Sequence, residues 1–243
     1  MFKTFFKVFI LLGAIAYLIF ALVKFNRPDE SPLCQGLDIR ILDQQGTNFM
    51  NENEVRELLV SHKLFPEGQR LDQVNLAQLE SLLVASPYID QALCYKTAQQ
   101  TIMMQITPRI PLLHVLNSAG EDFYIDNCGG TMPRGHHAID LIIITGNVNR
   151  QTAGQRYAPL GRLLATDSFW QKQIQQIHVT PSGELEITPR VGDHTILLGD
   201  TTHLADKLSR MKTFYTEGLN KAGWNRYKTI SLKFDQQVVC TKR

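Results

Sequence analysis

The spacing of apolar residues changes several times along the chain, and each change marks an element. Val8–Val23, VFILLGAIAYLIFALV, runs sixteen residues without a charge. Phe5, Phe6 and Phe25 lengthen it towards the roughly 20 residues that a spanning helix needs. Beyond a proline-punctuated polar stretch, LDIRIL puts Leu37, Ile39 and Ile41 on one side and Asp38 and Arg40 on the other, which predicts a strand. NENEVRELLVSHKLF then takes a helical period, with Asn51 as cap, Glu54 as its box partner, and Val55, Leu58, Leu59 and His62 on the apolar side. A second helix is capped by Asn75 with Gln78, carries Leu76, Leu79, Leu82 and Leu83, and must stop at Pro87. IDQALCYKT and TIMMQIT follow as hairpin strands joined by AQQ.

Pro108 and Pro111 separate this strand–helix–helix–strand–strand unit from a strand-rich second half. LLHVLN and DFYID read as strands about a turn at Ala119-Gly120, and AIDLIIITG as a strand buried on both faces. YAPLGRLLATDSFW predicts a helix, IQQIHVTPSGELEITPR a hairpin about Ser182-Gly183, and HTILLGD a further strand. A long helix aligns Leu204, Leu208, Met211, Tyr215 and Leu219, opposes them with a solvated Lys207, Arg210 and Lys212 face, and ends at Gly223. In TISLKFDQQVVCTKR, Ile230, Leu232, Phe234, Val238 and Cys240 share one parity, predicting one half-buried strand that closes the chain. Phe234 on this pattern faces either the core or a partner.

The expected organisation is α+β: a tail over 1–7, a transmembrane helix over 8–25, a linker over 26–36, one domain over 37–110 and a second over 111–243. Lys7 and Lys24 flank the span and can snorkel to the two interfaces. A cleaved signal peptide is the rival, although KFNRPDESPLC offers no small-x-small cleavage site. Basic residues lie equally on both sides of the span, so charge alone leaves its orientation open.

Lys plus Arg total 25 against 23 Asp plus Glu, with no basic stripe, which argues against nucleic acid as a partner. Cys34, Cys94, Cys128 and Cys240 lack metal-ligand spacing and fit either buried thiols or two disulfides. The stretch NCGGTMPRGHH pairs Cys128 with His136 or His137, but Gly-Gly between Asp126 and Pro133 reads better as a turn. His114, His178, His194 and His203 are dispersed, and Trp170 and Trp224 sit at element ends as core residues. No catalytic residue, metal ligand, cofactor or small-molecule substrate is expected.

The first unit, behind a single span, resembles a POTRA domain. SPYIDQALCYKT…TIMMQITPRIPLLHV is similar to the end of that module in the bacterial FtsQ/DivIB cell division family, with Pro87, Tyr88, Arg109 and Pro111 at the matching positions. Asp126 and Gly129 fit the family's D-x-x-G turn, and Tyr227, Ile230, Leu232, Lys233 and Phe234 its final strand, with Ser231 where an acidic residue is usual. The resemblance implies a non-enzymatic divisome protein of the inner membrane, its N-terminus cytoplasmic, its bulk periplasmic and its place the division septum. It implies FtsB- and FtsL-type partners, a docking edge of Phe234, Asp235, Gln236, Gln237 and Val238 on the last strand, and a short tail after that strand. The alternatives are a POTRA-containing envelope module for protein assembly or transport and, on the CGG…HH stretch, an anchored hydrolase.

Overall fold

The computed structural model describes residues 2–25, 31–43, 49–135 and 139–243, with side chains of the first helix described over 12–24. That helix, α1, runs Phe2–Phe25. Among the described residues no helix is long and apolar enough to cross a membrane. The side chains of Val8–Leu11 in the expected span, that of Lys7, and the 26–30 part of the expected linker lie outside the described residues.

The first domain has the predicted order: β1 (Gly36–Ile41), α2 (Glu52–Ser61), α3 (Leu76–Val84), β2 (Ile89–Lys96) and β3 (Thr101–Pro108). Its sheet runs β1-β3-β2, with β1 parallel and β2 antiparallel to β3. Asn51 and Glu54 form the full capping box, satisfying two otherwise orphaned N–H groups at the start of α2. Asn75 accepts the Gln78 N–H at the start of α3. The expected linker is shorter than its polarity implied. Cys34 is buried in the core, and its backbone bonds to Gln69 and Gly68, because residues 32–34 pair main chain to main chain with the loop before α3. His62 also departs from expectation: it is exposed at the end of α2, where Nδ1 lies 2.9 Å from the Leu58 carbonyl oxygen.

The second domain comprises β4 (Pro111–Asn117), β5 (Asp122–Asp126), β6 (Thr131–Pro133), β7 (Ile142–Gly146), α4 (Arg150–Thr166), α5 (Ser168–Gln173), β8 (Ile174–Val179), β9 (Leu185–Pro189), β10 (Thr195–Gly199), α6 (Leu204–Thr213), a π-helical stretch Phe214–Leu219, α7 (Asn220–Ala222), β11 (Tyr227–Ser231) and β12 (Val239–Lys242). Its sheet is ordered β12-β11-β10-β9-β8-β7-β4-β5-β6. Leu113, Val115, Ile144, Ile177, Ile187, Ile196 and Ile230 form one core with α4 and α6 residues, so these helices cover one face. The opposite face carries His114, Thr145, Gln176 and His178, the last three hydrogen-bonded across strands. β7 is therefore covered on one face only: Ile142 and Ile144 are buried, Ile143 and Thr145 half-buried.

Leu204, Leu208, Met211, Tyr215 and Leu219 are all buried as their spacing predicts. The opposing basic face is not solvated as expected. Lys207 is 5% exposed and its Nζ lies 2.7 Å from Asp200, whose carboxyl is held far below the usual range chiefly by that bond. Lys212 pairs with Asp167 at 2.6 Å, and Arg210 reaches the chain after β11.

Candidate functional site: an open sheet edge

The predicted closing strand is two strands and a turn. β11 lies parallel to β10, with Ile196 opposite Ile230, and its ladder ends where the Leu232 N–H donates to Leu197 O at 2.9 Å. Ile230 and Leu232 are fully buried, but the next stretch, KFDQQ, offers one apolar side chain among five residues and cannot continue that buried face. The chain turns, Gln236 taking φ 58° and the Gln237 N–H bonding back to Phe234 O, and returns as β12 antiparallel to β11. Phe234, Asp235, Gln236 and Gln237 therefore lie in an exposed turn, and half-buried Val238 leads into β12. This corrects the placement of all five on a strand edge. Phe234 is 54% exposed, so it belongs to the surface and not to the core.

The exposed edge is β12 itself, one residue further on. Since Leu232 bonds towards β10, alternation turns Ser231 and Thr229 towards β12, opposite Val239 and Thr241. The Arg243 N–H donates to Arg226 O in the same sense. Cys240 and Lys242 consequently direct their N–H and C=O groups away from β11, along the side of the sheet that no described strand pairs with. Burial raises the Cys240 thiol pKa, because its side chain packs partly against the core while the backbone stays at the rim.

The hairpin is fastened at three places. Arg210 donates from Nη1 to Phe234 O at 2.9 Å and to Gln237 O, and from Nε to Asp206 at 2.9 Å. Lys233 Nζ pairs with Glu184 at 2.6 Å, and the Arg243 guanidinium binds Asp193 beside buried His194. His194 is bonded to Tyr215 Oη at 2.7 Å, and burial lowers its pKa.

The opposite edge of the same sheet is closed. β6 has three residues and ends on Pro133, and the Arg109 guanidinium reaches the Thr131 carbonyl. Arg109 Nε binds Asp126 Oδ2 at 2.7 Å and Nη1 reaches Pro87 O at 3.0 Å, tying the end of α3, the outgoing turn and β5 together. The Arg109 and Asp126 motifs, separate in the sequence, are thus one ion pair at the junction of the domains. Phe49, Tyr88, Tyr124 and Met132 pack beside it, and Tyr88 Oη donates to Arg134 O. In the smaller sheet, Glu80 takes the Cys94 N–H of β2 at 2.7 Å, so that edge is guarded by a carboxylate.

Asp126 Oδ1 also accepts the Cys128 and Gly130 N–H groups, at 3.0 and 2.6 Å, and Gly129 has φ 86°. CGG is thus a carboxylate-organised turn, with exposed Cys128; His136 and His137 lie outside the described residues. All four cysteines are free, and among the described residues no His, Cys, Asp and Glu group could hold a metal ion.

A family model described as "FtsQ/DivIB, C-terminal related" matches residues 110–241, more than half of the 243-residue chain. The chain belongs to the FtsQ/DivIB family. A POTRA-like domain model matches residues 32–107, and the FtsQ/DivIB match connects the chain to cell division proteins. No curated protein matches it. Within this FtsQ/DivIB-family chain, the sequence reading missed the edge at Cys240 and Lys242 and the Arg210 clamp. A signal existed for Lys207, which is three residues from Leu204 and four from Met211 and so lies on the apolar stripe. Arg210 gave none, since its acceptors are main-chain carbonyls 24 and 27 residues away.

Proposed function

We propose that the chain is a non-enzymatic divisome scaffold, anchored in the cytoplasmic membrane by α1 and held at the septum, which takes up an FtsB-type partner by strand addition to β12. The observation that carries this reading is the contrast between the two edges of the large sheet. β6 is short, proline-ended and covered; β12 presents Cys240 and Lys242 with main-chain groups turned outward. An unpaired edge of this kind templates an incoming strand, main-chain hydrogen bonds giving affinity and flanking side chains selectivity. Exposed Phe234 and Val239 border the edge and supply apolar contact. An FtsL-type chain would join through the same partner.

The anchor is supported by the described part of α1, where Leu12, Leu18, Ile19, Phe20, Leu22 and Val23 are all more than half exposed. A helix apolar all round finds no cover in water. Lys24 near its C-terminal end and Lys7 towards its N-terminal end would mark the two interfaces, with the N-terminus cytoplasmic and the domains periplasmic. The reading is tested by a fluorescent fusion of the full chain together with co-purification of the co-expressed FtsB-type protein. Midcell bands and a retained partner are expected. A uniform envelope signal without the partner would favour an assembly or transport module instead.

A further inference from the structure

We infer that Arg210 is the positioning residue of the β12 edge: its guanidinium bridges the carbonyls of Phe234 and Gln237 and so holds the hairpin in the form that can accept a strand. This rests on the edge-pairing reading above. β12 has four residues and pairs with β11 through an irregular register between Tyr227 and Thr229. A rim strand of four residues has few ladder bonds to β11 to hold it, and its turn needs a non-glycine residue, Gln236, in the left-handed region. The Gln237 N–H bond to Phe234 O is long, 3.4 Å, so the turn holds itself weakly. Arg210 supplies what the turn lacks. It is fixed to Asp206 one helical turn back, its side chain is 15% exposed, and one nitrogen meets both the Phe234 and the Gln237 carbonyl. The contact spans 24 to 27 residues and links α6, already part of the core, to the segment that fixes where β12 begins.

Lysine carries the charge but places it on a single rotatable ammonium, which cannot keep both the Asp206 bond and the carbonyl bridge in a fixed plane. The role is therefore geometric, and charge alone does not fulfil it. A side chain that holds a binding segment in its bound shape lowers the ordering cost of association.

The test uses the full chain in detergent, as wild type, Arg210→Ala, Arg210→Lys and Asp206→Ala. Residue-resolved amide exchange is measured without any partner, and affinity with the purified FtsB-type protein as probe. Arg210→Ala and Arg210→Lys should accelerate exchange about 10-fold or more at Val239 and Thr241. Amides of β8 and β9 should be unchanged, and binding should weaken by a similar factor. Asp206→Ala, which leaves the bridge in place, should show a smaller version of both effects. Unchanged exchange at Val239 and Thr241 in Arg210→Ala would overturn the clamp. Faster exchange with undiminished binding would overturn its role in docking. Should the wild type fail to bind the probe, the edge-pairing reading and the docking role fall together, and the exchange data alone decide whether Arg210 holds the hairpin.

Discussion

Cys240→Pro separates the two sides of β12. The Cys240 N–H points away from β11, so proline there removes no bond of the internal ladder, and proline is tolerated on an edge strand in that orientation. For an incoming strand the change is severe. Cys240 and Lys242 together offer two N–H and two C=O groups, about four hydrogen bonds at roughly 1 kcal/mol net each. Proline deletes one donor, and its ring pushes the partner off the neighbouring acceptor. The expected loss is about 2 kcal/mol, roughly a 30-fold weaker Kd. Thr241→Pro is the opposite control: its N–H faces β11, so it should loosen the hairpin itself and lower Tm before any partner is added. Affinity is read by titrating the purified FtsB-type protein into the full chain in detergent, with thermal unfolding followed in parallel. Wild-type affinity in a folded Cys240→Pro protein would refute strand addition at this edge.

Three further outcomes follow from the interior. Arg109→Ala leaves the Asp126 carboxylate, 3% exposed, without its cation; removing one partner of such a pair costs about 3–5 kcal/mol, read as a fall in Tm. Gly154→Ala would drive a methyl into the Gly129 carbonyl, backbone against backbone; about 1–3 kcal/mol or more should be lost in denaturant unfolding, with binding retained where the domain still folds. His194, facing the Tyr215 hydroxyl, Asp193 and Arg243, has its pKa lowered from 6.5 by burial, so the native state binds fewer protons than the unfolded one. Its contribution is therefore complete above about pH 6.5 and is lost as pH falls below that value. His194→Phe should flatten Tm over pH 5–7 relative to wild type.

The first domain was legible in the sequence because its elements are local and conventional. Asn51 with Glu54, Asn75 with Gln78, and alternating Ile102, Met104 and Ile106 each state their structure within a few residues. The final segment misled for a related reason. Phe234 and Val238 keep the parity of Ile230 and Leu232, so period alone reads straight through the turn at Asp235-Gln236. The polar run KFDQQ hinted at a break, but no glycine or asparagine marks the turn itself, since Gln236 takes the left-handed conformation there. What stabilises it there is Arg210, a contact made only after α6 and β11 have met. The Arg109 and Asp126 motifs were likewise visible one by one, while their pairing needed the fold.

The central claim, that a partner strand adds to β12, is tested most directly by amide exchange of the full chain with and without the FtsB-type protein. Strand addition predicts alternation: new protection at the Cys240 and Lys242 amides, which point outward, and little change at Val239 and Thr241, already bonded to β11. Protection confined to another surface, or spread over β12 without that two-residue period, would contradict it.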